Sequence, residues 1–597
     1  MKQSKYSDQF MDWLVEDGYT HCFFVGGGNV MHLLESASSR FKCVAVVHEV
    51  TAGIATEYFN ETASGNERAF ALVTAGPGLT NIVSAIGGAW LESRELLVVG
   101  GQAKVADLSH GRVRQIGHQE ICGLDIVKPI TVATIAGTRR LEKYEVLQAT
   151  RRSRSHRKGP VFIEMSIDVT AMPALEENSR SLPQQIHEFS VSDDEIGLVA
   201  ELLKNSKRPV IILGGGVDKV KAEKGINLLI ENEIPLGTTW NGFDRVSFDY
   251  KYYAGRSNTY GMRWSNMLVQ QSDLVIAIGT RLGIQQVGFS THLFAPLAKV
   301  VQIDLDKNEL EKGFPRIDYA ICGDANEFIN LLAEKISKKN SDISEWKEFL
   351  LDIRSSLHGP DQANNAKEDY LELHKFINDL SKTLKDDDLI ASCSSGGTFN
   401  AVMQVFENKK NQKILSNKGS ASMGYGLAGA IGMAFAFPNN RVIHFEGDGG
   451  FAQNMQDIGT VSNNSLNIKM FISSNKGYAS IRTTQKSYFS GNYLGCDSET
   501  GLGLPDWEYI FKAYDIPAIK LNAENLKCEK FNELMSIPGP CAFILDLDPE
   551  QLYFPKLTSK LKDDGSMETN PLHLMSPSLS EEISEKYLKY LPPSLRK

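Results

Sequence analysis

The 597-residue sequence has no long hydrophobic run: its longest apolar stretch, Leu427 to Phe437, is too short and too glycine-rich to cross a bilayer. Cysteine is scarce as well. The eight cysteines stand at 22, 43, 122, 322, 393, 496, 528 and 541 with no CxxC pair, which argues against structural zinc and against a disulfide scaffold. Reduced thiols in a cytoplasmic protein are the expectation. The charge balance is acidic: 63 Lys+Arg face 73 Asp+Glu, a net charge of −10, so a nucleic acid held by phosphate neutralisation is not expected. Phosphate ligands stay open, because a metal and backbone N–H groups can hold them without lysine or arginine. Met1–Lys5 run into mixed polar sequence without an apolar leader core, so no secretory signal is expected.

What is present is a recurring unit: a short apolar run, a glycine-rich turn, then a helical pattern. Residues 21–25 (HCFFV) run into Gly26-Gly27-Gly28, 43–47 (CVAVV) into His48-Glu49, 70–74 (FALVT) into Ala75-Gly76-Pro77-Gly78, and 96–99 (LLVV) into Gly100-Gly101. A second set starts near 208, with 209–213 before Gly214-Gly215-Gly216, 274–278 before Gly279-Thr280-Arg281, and 300–303 before Asp304. A third covers about 388–547. Short, fully apolar strands alternating with helices predict parallel sheets covered on both faces. The fold class expected is therefore α/β, with three doubly wound domains at 1–175, 190–340 and 368–550 and a proline-bearing C-terminal tail at 551–597. The polar stretches 171–190 and 338–368 are candidate linkers.

The strongest local feature is Gly447-Asp448-Gly449-Gly450 after the run Val442–Phe445. One helix is predicted next, with Phe451, Met455, Ile458 and Val461 on one face, then a strand ending at Ser474-Asn475-Lys476-Gly477. Asp448 and Asn475 thus belong at the carboxyl ends of two strands joined by one crossover, the edge where doubly wound sheets bind ligands. A carboxylate, an amide oxygen and a main-chain carbonyl are hard donors that suit Mg²⁺ with positions left for diphosphate oxygens. The same residues also suit a tight turn and an Asn cap, and spacing alone does not choose between these readings.

Gly447-Asp448-Gly449 with Ser474-Asn475 at this separation resembles the cofactor signature of thiamine diphosphate (ThDP) enzymes. Over about residues 5–550 the chain is similar to the acetolactate synthase / pyruvate decarboxylase branch, in the order pyrimidine-binding, central and diphosphate-binding domain. Thr74–Gly78 with Asn81, Gly117-His118-Gln119-Glu120 and Ser422-Met423-Gly424-Tyr425-Gly426 match in order. The resemblance implies roles position by position. Asp448, Asn475 and the Gly477 carbonyl would hold Mg²⁺, and Glu49 would bond the pyrimidine N1′. Met423 would wedge the cofactor into its bent form, and Ala421 would offer its carbonyl to the 4′-amino group. Gln119 would stand near that amino group. Gly26, Gly76, Asn81 and Gly396 would also line the cofactor, as would Gly449, Gly450 and Tyr478. Gly27, His118 and Thr484 are substrate-pocket candidates. Outside this frame Glu49 also suits a helix first turn and Met423 a core position.

The resemblance further implies a site shared between subunits, hence a homodimer or homotetramer. A small 2-oxo acid, pyruvate first, would lose CO₂ and pass its acyl unit to a carbonyl acceptor. The His118-Gln119-Glu120 stretch looks more like synthases than simple decarboxylases, so a carboligase (transferase) is expected. Thr484 stands where housekeeping synthases usually place tryptophan. That stretch and the tail resemble enzymes of bacterial polysaccharide pathways, so the acceptor is expected to be a second 2-oxo acid or a keto-sugar nucleotide. A nonoxidative decarboxylase and a noncatalytic regulatory paralogue are the alternatives. A nicotinamide oxidoreductase fits poorly, because Gly214–Gly216 lacks the GxGxxG spacing. Gly214–Gly216, Gly279–Arg281 and Asp304 resemble a synthase flavin site, but Leu282-Gly283-Ile284-Gln285-Gln286 replaces its charged pattern, so FAD is left open.

Overall fold

The computed structural model describes residues 4–63, 67–176, 189–336, 342–526, 528–561 and 567–596. The apolar runs form three six-stranded, wholly parallel sheets. The first contains β1 (Tyr19–Phe24), β2 (Lys42–Ala45), β3 (Arg68–Val73), β4 (Leu96–Gln102), β5 (Ala133–Gly137) and β6 (Pro160–Ser166), ordered β2-β1-β3-β4-β6-β5. The second contains β7 (Pro209–Leu213), β8 (Leu236–Thr238), β9 (Tyr253–Gly255), β10 (Leu274–Ile278), β11 (Lys299–Asp304) and β12 (Tyr319–Cys322), ordered β12-β11-β10-β7-β8-β9. The third contains β13 (Leu389–Ser392), β14 (Lys413–Leu415), β15 (Val442–Gly447), β16 (Ile468–Ser474), β17 (Ala518–Leu521) and β18 (Cys541–Asp546), ordered β14-β13-β15-β16-β18-β17. Strands such as β4, β7 and β10 are buried at every residue, as continuous apolar runs require when helices cover both faces.

Counted within each unit, the first and third sheets share one order, 2-1-3-4-6-5. The middle sheet has the 3-2-1-4-5-6 order of dinucleotide-binding folds. The first and third units meet through helix Glu49–Ala63 and helix Tyr425–Ala436. Glycine permits the approach: a Cβ at Gly432 would overlap the Ala55 carbonyl, and one at Gly429 would press on the Tyr58 ring. A buried ion pair locks the contact. Arg94 Nη1 donates to Glu57 Oε1 (2.7 Å) and Nη2 to the Ser416 carbonyl (2.7 Å), while Asn417 Nδ2 (3.1 Å) and Tyr425 Oη (3.3 Å) donate to Glu57.

Three expectations change. The crossover after Gly447 is not one helix: it breaks into Asp448–Phe451, a 3₁₀ turn Met455–Asp457 and Ile458–Asn463. Side-chain bonds fix the breaks, because Asn454 Nδ2 donates to the Gly424 carbonyl (2.8 Å) and Asp457 Oδ1 accepts from Val47 N (2.8 Å). The stretch 338–368 is not linker throughout. Ser344–Leu357 is a helix whose Trp346, Phe349, Leu350 and Ile353, at helical spacing, bury against the middle sheet. The other candidate linker, 171–190, lies largely outside the described residues. The C-terminal segment is no free tail: Leu572, Met575, Tyr587, Leu588 and Leu591 enter the middle-sheet core. Gln271 Nε2 caps the Tyr587 carbonyl (2.8 Å) and Asn266 Nδ2 the Leu572 carbonyl (3.0 Å). Among the described residues no helix is long and apolar enough to cross a membrane.

Removing one partner of the Glu57–Arg94 pair strands the other charge in the interface. Arg94→Met should therefore lower stability by about 3–5 kcal/mol, read as a drop in the urea unfolding midpoint, with part of the loss recovered when Glu57→Gln is added.

Candidate functional site

One group of predicted residues gathers at the carboxyl edge of the third sheet. Asp448 follows β15 and is almost wholly buried; its carboxylate accepts from Gly449 N (2.8 Å), Asn475 N (3.1 Å) and Gly477 N (3.2 Å). Burial pushes this carboxyl up to about 6, against the opposing pull of the N–H donors. Asn475 follows β16. Its Nδ2 donates to Tyr553 Oη (3.3 Å), and its Oδ1 is buried with no hydrogen-bond partner. Gly477 holds φ at 134°, where a Cβ would also overlap the Cys496 carbonyl, so the loop needs glycine there. Gly449 lies against the Tyr478 ring and Gly450 against the Glu446 carboxyl, both too close for a side chain.

Gly396 opens helix Gly396–Val405 after β13, with free space where a Cβ would stand. Ala421 and Met423 follow β14, and Met423 is 39% exposed although large and apolar. Thr484 is an exposed position on helix Ala479–Tyr488, its hydroxyl bonded back to the Ser480 carbonyl (3.0 Å). The spacing-based list missed Arg482 on that helix and Tyr553. Arg482 Nη1 donates to the Pro549 carbonyl (2.7 Å) and the Asn475 carbonyl (3.5 Å), and Nη2 to the Lys476 carbonyl (3.3 Å). Its helical position four residues after Tyr478 was a usable signal; Tyr553, 78 positions from Asn475, offered none.

A second group gathers at the carboxyl edge of the first sheet. Glu49 begins its helix, is buried, and accepts from Asn81 Nδ2 (2.9 Å). Gly26 and Gly27 follow β1, and Gly27 lies against the Thr74 side chain. Gly76, at φ 61°, touches the Gln119 carbonyl. Asn29 Nδ2 reaches the His118 carbonyl (3.4 Å) and Gln119 Oε1 (3.5 Å), and His118 itself is exposed. Glu120 braces the preceding loop by accepting from Ser109 N (2.6 Å), Ile116 N (2.8 Å) and Gly117 N (3.1 Å). Gln119, Ala421 and Lys476 are non-glycine residues at positive φ (61°, 52° and 62°), and strained backbone of this kind concentrates at functional sites.

Among the described residues no hydrogen bond or ion pair joins these two groups within the chain. The contacts between the units run elsewhere, through Val47 to Asp457 and through Glu57 and Arg94 to Ser416, Asn417 and Tyr425. The donor set at the third-sheet edge suits a hard divalent cation: one carboxylate, one orphaned amide oxygen and the adjoining carbonyls. No cluster of three or more His, Cys, Asp or Glu able to hold a metal occurs among the described residues.

Three family models match in order. The thiamine pyrophosphate enzyme N-terminal TPP binding domain matches residues 4–123, the central domain 196–332, and the C-terminal TPP binding domain 395–544. The chain is 26% identical over 535 residues to the acetolactate synthase isozyme 1 large subunit of Escherichia coli (strain K12), covering 89% of this chain and 92% of that protein. It is 27% identical over 557 residues to the acetolactate synthase large subunit of Pyropia yezoensis (89% and 90% covered) and 26% over 546 residues to that of Lactococcus lactis subsp. lactis (90% and 92%).

The loop geometry yields a direct test. Gly477→Ala meets both a positive φ and the Cys496 carbonyl, so it should cost about 1–3 kcal/mol and shift the Asn475–Gly477 loop, read by urea unfolding and by amide exchange at those residues.

Proposed function

Because this chain belongs to the thiamine pyrophosphate enzymes, as a carboligase of the acetolactate synthase family, we propose that it decarboxylates pyruvate and passes the acyl unit to a second carbonyl compound. The acceptor in this reading is a second 2-oxo acid or a keto-sugar nucleotide. The observation that carries the reading is the pair of half-sites: Glu49 on one sheet edge and Asp448, Asn475 and Gly477 on another edge of the same strand order. Bound ThDP would supply a thiazolium carbanion as nucleophile and electron sink.

The chain's own residues have defined tasks. Asp448 Oδ, Asn475 Oδ1 and the Gly477 carbonyl would hold Mg²⁺; the unpartnered Oδ1 and the uncompensated buried carboxylate support this fit. Glu49 would hold a proton at the pyrimidine N1′, oriented by the Asn81 amide. Met423, apolar and displayed at the edge, would set the cofactor's bend, and Gln119 with His118 would face the reacting carbonyls. Thr484, small and exposed, would leave room for an acceptor bulkier than a 2-oxo acid.

Because no hydrogen bond or ion pair among the described residues joins the half-sites within one chain, a second copy would complete each site in this reading, making a homodimer the smallest active form. FAD belongs to the same reading. A cavity of about 360 Å³ between the first unit and the carboxyl ends of β10 and β11, lined by Trp90, Arg157, Lys158, Arg281, Asp306 and Lys307, would suit a dinucleotide's phosphates. Flavin absorbance in the purified protein tests this.

Incubation with ThDP, Mg²⁺ and pyruvate should release CO₂ and give acetolactate or acetoin, and added keto-sugar nucleotide should divert the acyl unit. Glu49→Gln should lower turnover by roughly 10²–10⁴-fold. Mixing Glu49→Gln with Asp448→Asn protein should restore up to about a quarter of wild-type activity, because random exchange makes half the dimers hybrid with one intact site each. No CO₂ from any small 2-oxo acid would sink the reading.

The pH dependence of the cation follows from Asp448, whose carboxyl must be ionised to bind it. With ionisation centred at about 6, roughly nine in ten carboxyls are charged at pH 7 and about one in ten at pH 5. Mg²⁺ affinity measured by calorimetry should therefore be about tenfold weaker at pH 5 than at pH 7.

A further inference from the structure

We propose that Tyr553 is a positioning residue for the cation site, fixing which end of the Asn475 amide faces the metal. An asparagine side chain is nearly symmetric in shape but opposite in charge at its two ends: the oxygen would ligate a cation, and the NH₂ would repel it. Asn475 Nδ2 is bound by Tyr553 Oη at 3.3 Å, and Oδ1 is left buried without a partner. The phenol oxygen here accepts from the NH₂ end, which leaves the oxygen as the end free to face a cation. This rests on the reading of Asp448, Asn475 and Gly477 as the metal ligands.

Tyr553 is itself held on several sides. Its ring fills the space above Gly397, where any Cβ would overlap it, and lies 5.9 Å from the buried His374 ring. The next residue is clamped like a strand partner: Asn364 Nδ2 donates to the Phe554 carbonyl (2.7 Å), and Phe554 N donates to Asn364 Oδ1 (2.7 Å). Gln404 Nε2 caps the Pro555 carbonyl at 2.6 Å. These bonds fix the backbone next to Tyr553, and the packing on Gly397 and His374 confines its ring. Tyr553 also lies beyond the stretch matched by the C-terminal TPP binding domain, which ends at 544. The segment leading out of the third unit thus completes the surroundings of that unit's metal loop.

Tyr553→Phe removes the acceptor and keeps the ring, so the variant should fold. With ThDP present, Mn²⁺ binding followed by electron paramagnetic resonance should weaken by about 10–100-fold, the usual cost of losing an outer-shell orienting bond, while the metal-free thermal midpoint stays close to wild type. The discriminating variant is Asn475→Asp, which has oxygen at both ends and needs no orienting. In that background Tyr553→Phe should change Mn²⁺ affinity by less than about threefold. Equal losses in both backgrounds would show that Tyr553 serves packing only and would overturn the proposal, as would unchanged Mn²⁺ affinity in the single variant. Failure of the wild-type protein to bind Mn²⁺ with ThDP would instead sink the metal reading on which the proposal rests.

Discussion

Asp448 is a carboxylate buried without a cationic side chain beside it, and the third unit is built around that fact. Three main-chain N–H groups point at it, two of them from the loop after β16. They bend Asn475–Gly477 over the β15 end and draw the Asn475 side chain and the Gly477 backbone to one point. They do not remove the cost of burial, since the carboxyl still ionises only near 6. A divalent cation would reverse that shift.

The same strand order in the first and third sheets gives two equivalent carboxyl edges, and the chain equips them differently. One carries the buried Glu49 carboxylate bonded by the Asn81 amide; the other carries the Asp448 carboxylate, the Asn475 amide and a glycine-rich helix start. The Glu57–Arg94 pair and the small residues of helix Tyr425–Ala436 fix the two units to each other. Those contacts use the middle of helix Glu49–Ala63 and the loop before it, and among the described residues no hydrogen bond or ion pair joins the two edges.

Legibility from sequence tracks the range of the interaction. Continuous apolar runs marked β4, β7, β10 and β15 because their burial on both faces leaves no alternation to misread. Gly447–Gly450 and Asn475–Gly477 were legible because the ligand edge of a parallel sheet demands small residues and oxygen donors at strand ends. The broken crossover after Phe451 was not: its apolar spacing is helical, but Asn454 and Asp457 are spent on Gly424 and Val47, far away in sequence. Trp346 and Phe349 sat in a polar stretch whose charged residues outnumber the buried stripe, so composition hid the helix. Tyr553 acts on an amide 78 positions away and leaves no residue pattern to read, whereas Arg482 stands one helical turn after Tyr478, where its spacing was readable.

The C-terminal segment joins two of these units physically. It leaves the third sheet beside the Asn475–Gly477 loop at Tyr553, is clamped by Asn364 and Gln404, and has Tyr587, Leu588 and Leu591 inside the core of the middle sheet. Arg263 reaches both the Met575 carbonyl (3.1 Å) and Asp361 (2.9 Å), tying this segment to the chain that enters the third unit.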